Sequence, residues 1–144
     1  MLIATWNVNS IRTRLSQIIN WINQVKPDIL CLQETKVIND DFPLEPFEKL
    51  GYEVIIHGQK SYNGVAILSK NKIEKVNKGF ISNPIEENIK NEFFEQKRLI
   101  SAVINGLRIV NVYVPNGSSL DSDKFKYKIE WLKRLSYFID DEER

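Results

Sequence analysis

Apolar residues recur along this chain at two spacings, and the switches between them mark its elements. Leu2–Val8 is a short, largely apolar run that closes at polar Asn7, the pattern of a buried strand. From Ile11 the period lengthens. Ile11, Leu15, Ile18, Ile19, Ile22 and Val25 form one helical stripe that stops near Lys26-Pro27, with Ser10 placed to cap it. Asp28–Glu34 returns to a strand-like run, again ending in polar groups. Strand, helix and strand joined this tightly predict a βαβ unit with parallel neighbours.

Beyond a Pro-rich link, Phe42-Pro43-Leu44-Glu45-Pro46, the spacing shortens again. Tyr52–His57 and Gly64–Ser69 read as strands joined by a loop holding Gly58 and Asn63-Gly64. Residues 73–81 carry a weaker strand signal, and the polar, acidic stretch 84–96 reads as a surface loop or short helix. The sharpest local signal is Arg98–Ile104, Asn105-Gly106 and Leu107–Val114. Asn-Gly between two β-rich runs supplies the positive φ angles of a type I′ turn. Phe125, Ile129, Leu132, Leu135 and Ile139 then predict an amphipathic helix over 122–139, capped by Asp121 or Ser122. The sum is a mixed α/β arrangement with one sheet of about six strands.

Composition narrows the setting. The 144 residues, 42% of them hydrophobic, suit one domain with a real core, and a charged fraction of 27% does not suggest disorder. One cysteine excludes an internal disulfide framework and a zinc site built from cysteines. No apolar run approaches the ~20 residues that span a bilayer, and Met1–Asn7 lacks the basic flank of a signal peptide. The expected setting is therefore soluble and cytoplasmic, with no membrane partner. A net charge of +1 announces no polyanion partner either.

Candidate chemistry gathers at strand ends. Asn7, Glu34 and Tyr113 each close an apolar run, sharing a face with Ile3 and Thr5, with Leu30 and Leu32, and with Ile109 and Asn111 respectively. Set side by side, those strands would bring the polar ends to one rim, where α/β proteins commonly place ligands. The plainer reading is that Asn7 and Glu34 only mark where strands leave the core. A carboxylate on a stiff strand suits a hard cation such as Mg²⁺, which keeps waters and adds phosphate oxygens to one or two carboxylates. Val114–Ser119 is a turn of small donors, able to approach a phosphate or simply an ordinary surface turn. His57 and mid-strand Cys31 read as structural.

Four strings, read together, carry a resemblance. They are Thr5-Trp6-Asn7-Val8-Asn9-Ser10-Ile11-Arg12, Leu32-Gln33-Glu34-Thr35-Lys36, the run from His57-Gly58-Gln59-Lys60-Ser61-Tyr62-Asn63-Gly64 to Lys70, and Asn111-Val112-Tyr113-Val114-Pro115-Asn116-Gly117. In this order the chain resembles the exodeoxyribonuclease III family of DNA-repair nucleases, within the endonuclease/exonuclease/phosphatase superfamily. The resemblance implies a four-layer α/β sandwich, two sheets face to face with helices outside, of which this chain would be roughly one sheet plus its outer helices. It implies Mg²⁺-dependent (or Mn²⁺-dependent) cleavage of double-stranded DNA, by incision 5′ to abasic sites and by removal of nucleotides from 3′ ends. By position, Glu34 matches the metal-binding glutamate and Asn7 an asparagine that hydrogen-bonds within the catalytic centre. Tyr113 matches the tyrosine near the scissile phosphate, and Asn116 an asparagine of the phosphate-contacting loop. Arg98 leads into the hairpin at a position suited to DNA contact. Arg12, Lys36, Lys60 and Tyr62 would add contacts, mostly to phosphates, against the plainer reading of solvated surface residues.

The same resemblance sets length against motif. Family members are considerably longer, so 1–144 would be the N-terminal portion of a single domain. It would lack the Gly-Asp-x-Asn aspartate that helps to activate water and the Asp-His pair near the family's C-terminus. Losing members of a cooperative catalytic unit can cost as much as losing all of it, so the chain alone is expected to be inactive or nearly so. The competing readings are a non-catalytic fragment or pseudoenzyme that binds DNA or a complementary half, and a superfamily phosphodiesterase acting on phosphoinositide or sphingomyelin. One sheet of such a sandwich would leave about ten inner-face apolar side chains bare, forgoing roughly 15–30 kcal/mol at ~1.5–3 kcal/mol each. The chain is thus expected to be unstable alone, or to self-associate through that uncovered sheet face.

Overall fold

A computed structural model of the chain describes residues 1–80 and 96–142. The loop or short helix expected over 84–96 lies almost wholly outside the described residues. Strand β1 (Ile3–Asn7), helix α1 (Leu15–Val25) and strand β2 (Ile29–Gln33) form the expected parallel unit, with Ile3 beside Ile29 and Asn7 beside Gln33. The helix starts later than its apolar stripe. Ser10 sits at φ 92° with its N–H bonded to the Glu34 carbonyl, and its Oγ accepts the Thr13 N–H at 3.2 Å. Ser10 therefore closes a turn ahead of the helix and does not cap it. The Pro-rich link is shaped too: a 3₁₀ turn over Asn39–Asp41 leads into α2 (Leu44–Lys49), which buries Phe47. Strands β3 (Glu53–His57) and β4 (Val65–Ser69) pair antiparallel and β4 runs against β2, giving the order β1-β2-β4-β3.

The expectation of one sheet fails at the next strand. Strands β5 (Ile73–Lys78), β6 (Leu99–Ile104) and β7 (Leu107–Val112) form a separate antiparallel sheet, β5-β6-β7. Asn105 (φ 52°) and Gly106 (φ 77°) make the β6–β7 turn. Helix α3 (Asp123–Glu142) follows, and the Phe125 N–H bonded to Ser122 Oγ at 3.2 Å identifies the cap.

Packing explains the second sheet. β2 and β4 are buried at every position, so both of their faces need a cover. Leu30, Leu32, Ala66 and Leu68 point outward beneath Ile18, Ile22 and Phe47 of the helices. Ile29, Cys31, Val65 and Ile67 point inward and meet Ile100 and Ile104 of the second sheet. On the far side, α3 lays Trp131 and Phe138 over Phe80 and Leu99. The layers run helix, sheet, sheet, helix. The inner face expected to be bare is thus covered from within the chain, and self-association through it loses its premise. The sandwich gapes beside β1, where Ile3 and Thr5 border a groove of about 410 Å³ shared with Cys31, Gln33 and Ile109. No helix among the described residues is long and apolar enough to cross a membrane.

Candidate functional site

Three loops of the first sheet are tied together at the carboxyl end of β1 and β2. Main-chain bonds run from Ser10 N–H to the Glu34 carbonyl (2.8 Å) and from Ile11 N–H to that of Thr35 (3.1 Å). Others run from Lys36 N–H to the Asn63 carbonyl and from Ser61 N–H to that of Lys36, each at 3.0 Å. Gly64 is required at this crossing, since it holds φ 90° and a Cβ there would lie 2.2 Å from Thr35 Oγ1. The frame fixes Glu34 and Lys36 in left-handed backbone, at φ 56° and 61°. Arg12, Lys60 and Tyr62 ride on its outer side, exposed to solvent.

Glu34 is the point on which these parts converge. Asn7 Nδ2 donates to Glu34 Oε1 at 3.0 Å, and Lys36 Nζ stands 3.5 Å from Oε2. From the second sheet, the Tyr113 hydroxyl faces the same carboxylate and helps to hold its charge. Burial alone would raise the Glu34 pKa, but the bonds from Tyr113 and Asn7 and the Lys36 charge outweigh it and hold the carboxyl below its ordinary value. The Tyr113 phenol is pushed up, first by burial and then by Glu34. Both shifts leave an ionised acceptor facing a neutral donor.

Arg98 supports Tyr113 from below. Its guanidinium carbon lies 4.7 Å from the centre of the Tyr113 ring, and its Nη1 donates to the Tyr113 carbonyl at 3.2 Å. Its Nε donates to Gln96 Oε1 at 2.6 Å. Arg98, Tyr113, Asn116, Lys124 and Tyr127 line a cleft of about 390 Å³ that runs from Glu34's partner to the start of α3.

Asn7, Glu34, Lys36 and Tyr113 therefore meet, with Arg98 and Asn116 beside them in the cleft. They do not meet along a single sheet, as side-by-side strands would have it. Asn7 and Glu34 belong to the first sheet and Tyr113 to the second. Sequence reasoning passed over Asn9, which accepts a hydrogen bond from Lys36 Nζ, and Tyr127, which bonds Arg98. It also passed over Gln33 and Asn111, whose polar side chains at inward strand positions were the available signal. His57 is driven to a pKa of about 4, by burial first and then by Lys97 and Lys78, while burial pushes the Cys31 thiol up to about 11. Among the described residues no three His, Cys, Asp or Glu side chains gather as a metal cluster.

A family model described as the endonuclease/exonuclease/phosphatase family matches residues 4–131. Exodeoxyribonuclease III of Haemophilus influenzae is 33% identical over 147 residues, covering 99% of this chain and 52% of that protein. The structure of the 3′ phosphatase NExo from Neisseria bound to a product DNA hairpin is 43% identical with a TM-score of 0.88, over 99% of this chain and 52% of that one. An AP endonuclease from Archaeoglobus fulgidus is 48% identical with a TM-score of 0.84, over 96% and 51%. The chain spans about half the length of these relatives.

Proposed function

Because the chain belongs to the endonuclease/exonuclease/phosphatase family, we propose that it is the N-terminal part of a Mg²⁺-dependent DNA-repair nuclease of the exodeoxyribonuclease III type. Its substrates are double-stranded DNA with abasic sites or 3′ ends. The observation that carries this reading is the Glu34 carboxylate, ionised and held by Tyr113, Asn7 and Lys36 where the two sheets meet.

The donor set fits Mg²⁺ or Mn²⁺ held by Glu34. The side chain is 19% exposed, so one face of the carboxylate is open, and such a cation needs only one or two carboxylates when waters and phosphate oxygens complete its shell. Bound there, the cation would neutralise charge that develops on a phosphodiester during cleavage. The Tyr113 hydroxyl and the Asn7 amide are donors at the same spot, able to turn from Glu34 to a phosphate oxygen. Asn116 and Arg98 line the cleft that neighbouring phosphates would follow, and Lys36, Arg12 and Lys60 add charge on the tied loops. Tyr62, 71% exposed, offers a ring to a base or sugar. A nearly neutral chain would then contact DNA through placed residues, without a basic surface. The cytoplasmic setting belongs to the same proposal, supported by the lone buried thiol of Cys31.

Residues 1–144 alone are expected to turn over little, because the described residues supply one carboxylate to the centre and no cluster. The test uses abasic-site duplex and phosphoinositide vesicles with Mg²⁺, for the chain alone and mixed with the second half of the Neisseria relative. The expected result is incision of the DNA by the mixture, abolished by Glu34→Gln. Cleavage of the phosphoinositide, or incision indifferent to Glu34→Gln, would overturn the reading.

A further inference from the structure

One layer beneath Glu34, a buried knot of amides joins the two sheets. Gln33, 9% exposed, donates from Nε2 to Thr5 Oγ1 and to Asn111 Oδ1, each at 2.8 Å. Asn111, 3% exposed, donates from Nδ2 to the carbonyls of Leu32 at 2.9 Å and Ala66 at 2.8 Å. The hydrogens of both amides thus have acceptors. Asn111 of the second sheet is tied to β2 and β4 directly and to β1 through Gln33.

Position matters as much as bonding. Thr5 lies two residues before Asn7 and Asn111 two before Tyr113, and a two-residue step along a strand keeps the same face. Gln33 directly precedes Glu34 and sits in register with Asn7. The knot therefore lies immediately under the three groups that converge above it. Elsewhere the layer between the sheets is filled by Ile29, Val65, Ile67, Ile100 and Ile104. Apolar packing would fill position 111 equally well, but it is non-directional, whereas paired amides fix a distance and an angle. A fully satisfied buried network specifies geometry.

We propose that Gln33 and Asn111 are positioning residues, whose amide clamp sets the spacing of the two sheets at the rim and so holds the Tyr113 hydroxyl on the Glu34 carboxylate. The clamp acts through those two residues and touches no substrate. It rests on the reading of Glu34 and Tyr113 as the site.

The test is the set of NMR cross-peaks between the Tyr113 ring and the Glu34 side chain, read in the metal-free, DNA-free chain, so that missing nuclease activity leaves its result standing. Asn111→Leu keeps the branched side-chain shape and deletes the clamp, and those cross-peaks weaken several-fold. Ile67→Ala, in the same layer, lowers stability and leaves them unchanged. Should Asn111→Leu not fold, Gln33→Met leaves Asn111 its two carbonyls and gives the same loss. Unchanged cross-peaks in a folded clamp variant overturn the proposal. So does an equal loss in Ile67→Ala.

Discussion

The rim that carries Glu34 and the rim that carries Tyr113 are held by different means. On the first sheet, the loops at 8–11, 34–36 and 61–64 are stitched to one another by main-chain hydrogen bonds. On the second sheet, one main-chain bond, from the Tyr113 N–H to the Arg98 carbonyl at 2.7 Å, is joined by side-chain anchors along the segment after β7. Arg98 lies against the Tyr113 ring, and Ser122 Oγ donates to the carbonyls of Gly117 at 3.0 Å and Ser119 at 2.7 Å. Main-chain stitching tolerates most side chains and fails where the backbone itself cannot comply. Side-chain anchoring fails one truncation at a time. The carboxylate is thus the fixed member of the site and its donor the adjustable one.

The largest expected effect comes from breaking the second half alone. Trp131 is 1% exposed and packs edge-on against Phe80 at 5.5 Å, fastening α3 to the second sheet. Trp131→Ala is expected to cost about 3–5 kcal/mol. In hydrogen exchange the amides of α3 and β7 should lose protection, while those of the 34–36 loop keep theirs. Uniform loss would show that the two rims are one cooperative unit.

Gly64→Ala attacks the first half where stitching is least tolerant. The new Cβ meets Thr35 Oγ1 and the residue must hold φ 90°, so a loss of about 1–3 kcal/mol is expected in denaturant unfolding. NMR signals of Asn7 and Glu34 should shift with it. Arg98→Gln should do less to stability, about 0.5–2 kcal/mol, since it removes a stacked cation from the second half only. Its sharper readout is DNA binding, weakened and with a salt dependence flatter by about one unit of slope.

Much of this was legible where the signal is local. Asn105-Gly106 announces its turn whatever surrounds it, and the β1–α1–β2 unit follows from spacing within short windows. Helix α3 was legible as a helix but not in its buried face: of the stripe read from the sequence, Ile129, Leu132 and Ile139 are exposed, while Trp131 and Phe138 are buried, with Leu135 packed beside them. The partition into two sheets was not legible that way, because it depends on which distant strand covers an inward face. The hint lay in Ile29-Leu30-Cys31-Leu32 and Val65-Ala66-Ile67-Leu68, apolar on both faces and so needing two covers. The late start of α1 was hidden for a related reason. The backbone of Ser10 is taken by the Glu34 carbonyl, a tertiary bond that overrides its capping preference. At the site, single polar residues at strand ends were visible, but their meeting across two sheets depends on packing, which one strand does not encode.

The smallest effect tests the contrast at another corner, where the first sheet meets the second through charge. His57 ends β3, while Lys78 ends β5 and Lys97 leads into β6. Burial first, then Lys97 and Lys78, lower its pKa from 6.5 to about 4. A depressed histidine pKa means that the unfolded chain binds the proton first. The neutral form therefore contributes its full stability above pH 6.5 and loses it as the pH falls towards about 4. The ring is partly exposed, so solvent screening limits the loss between about pH 7 and about pH 5 to about 1 kcal/mol. Glu34 does not blur this window. Its pKa lies below the ordinary carboxyl value, so its own contribution is present above that value and is lost only at lower pH. In denaturant unfolding at the two pH values, His57→Gln should therefore lose less stability on acidification than the parent chain. Equal losses would mean that neither burial nor the lysines of the second sheet depress the His57 imidazole.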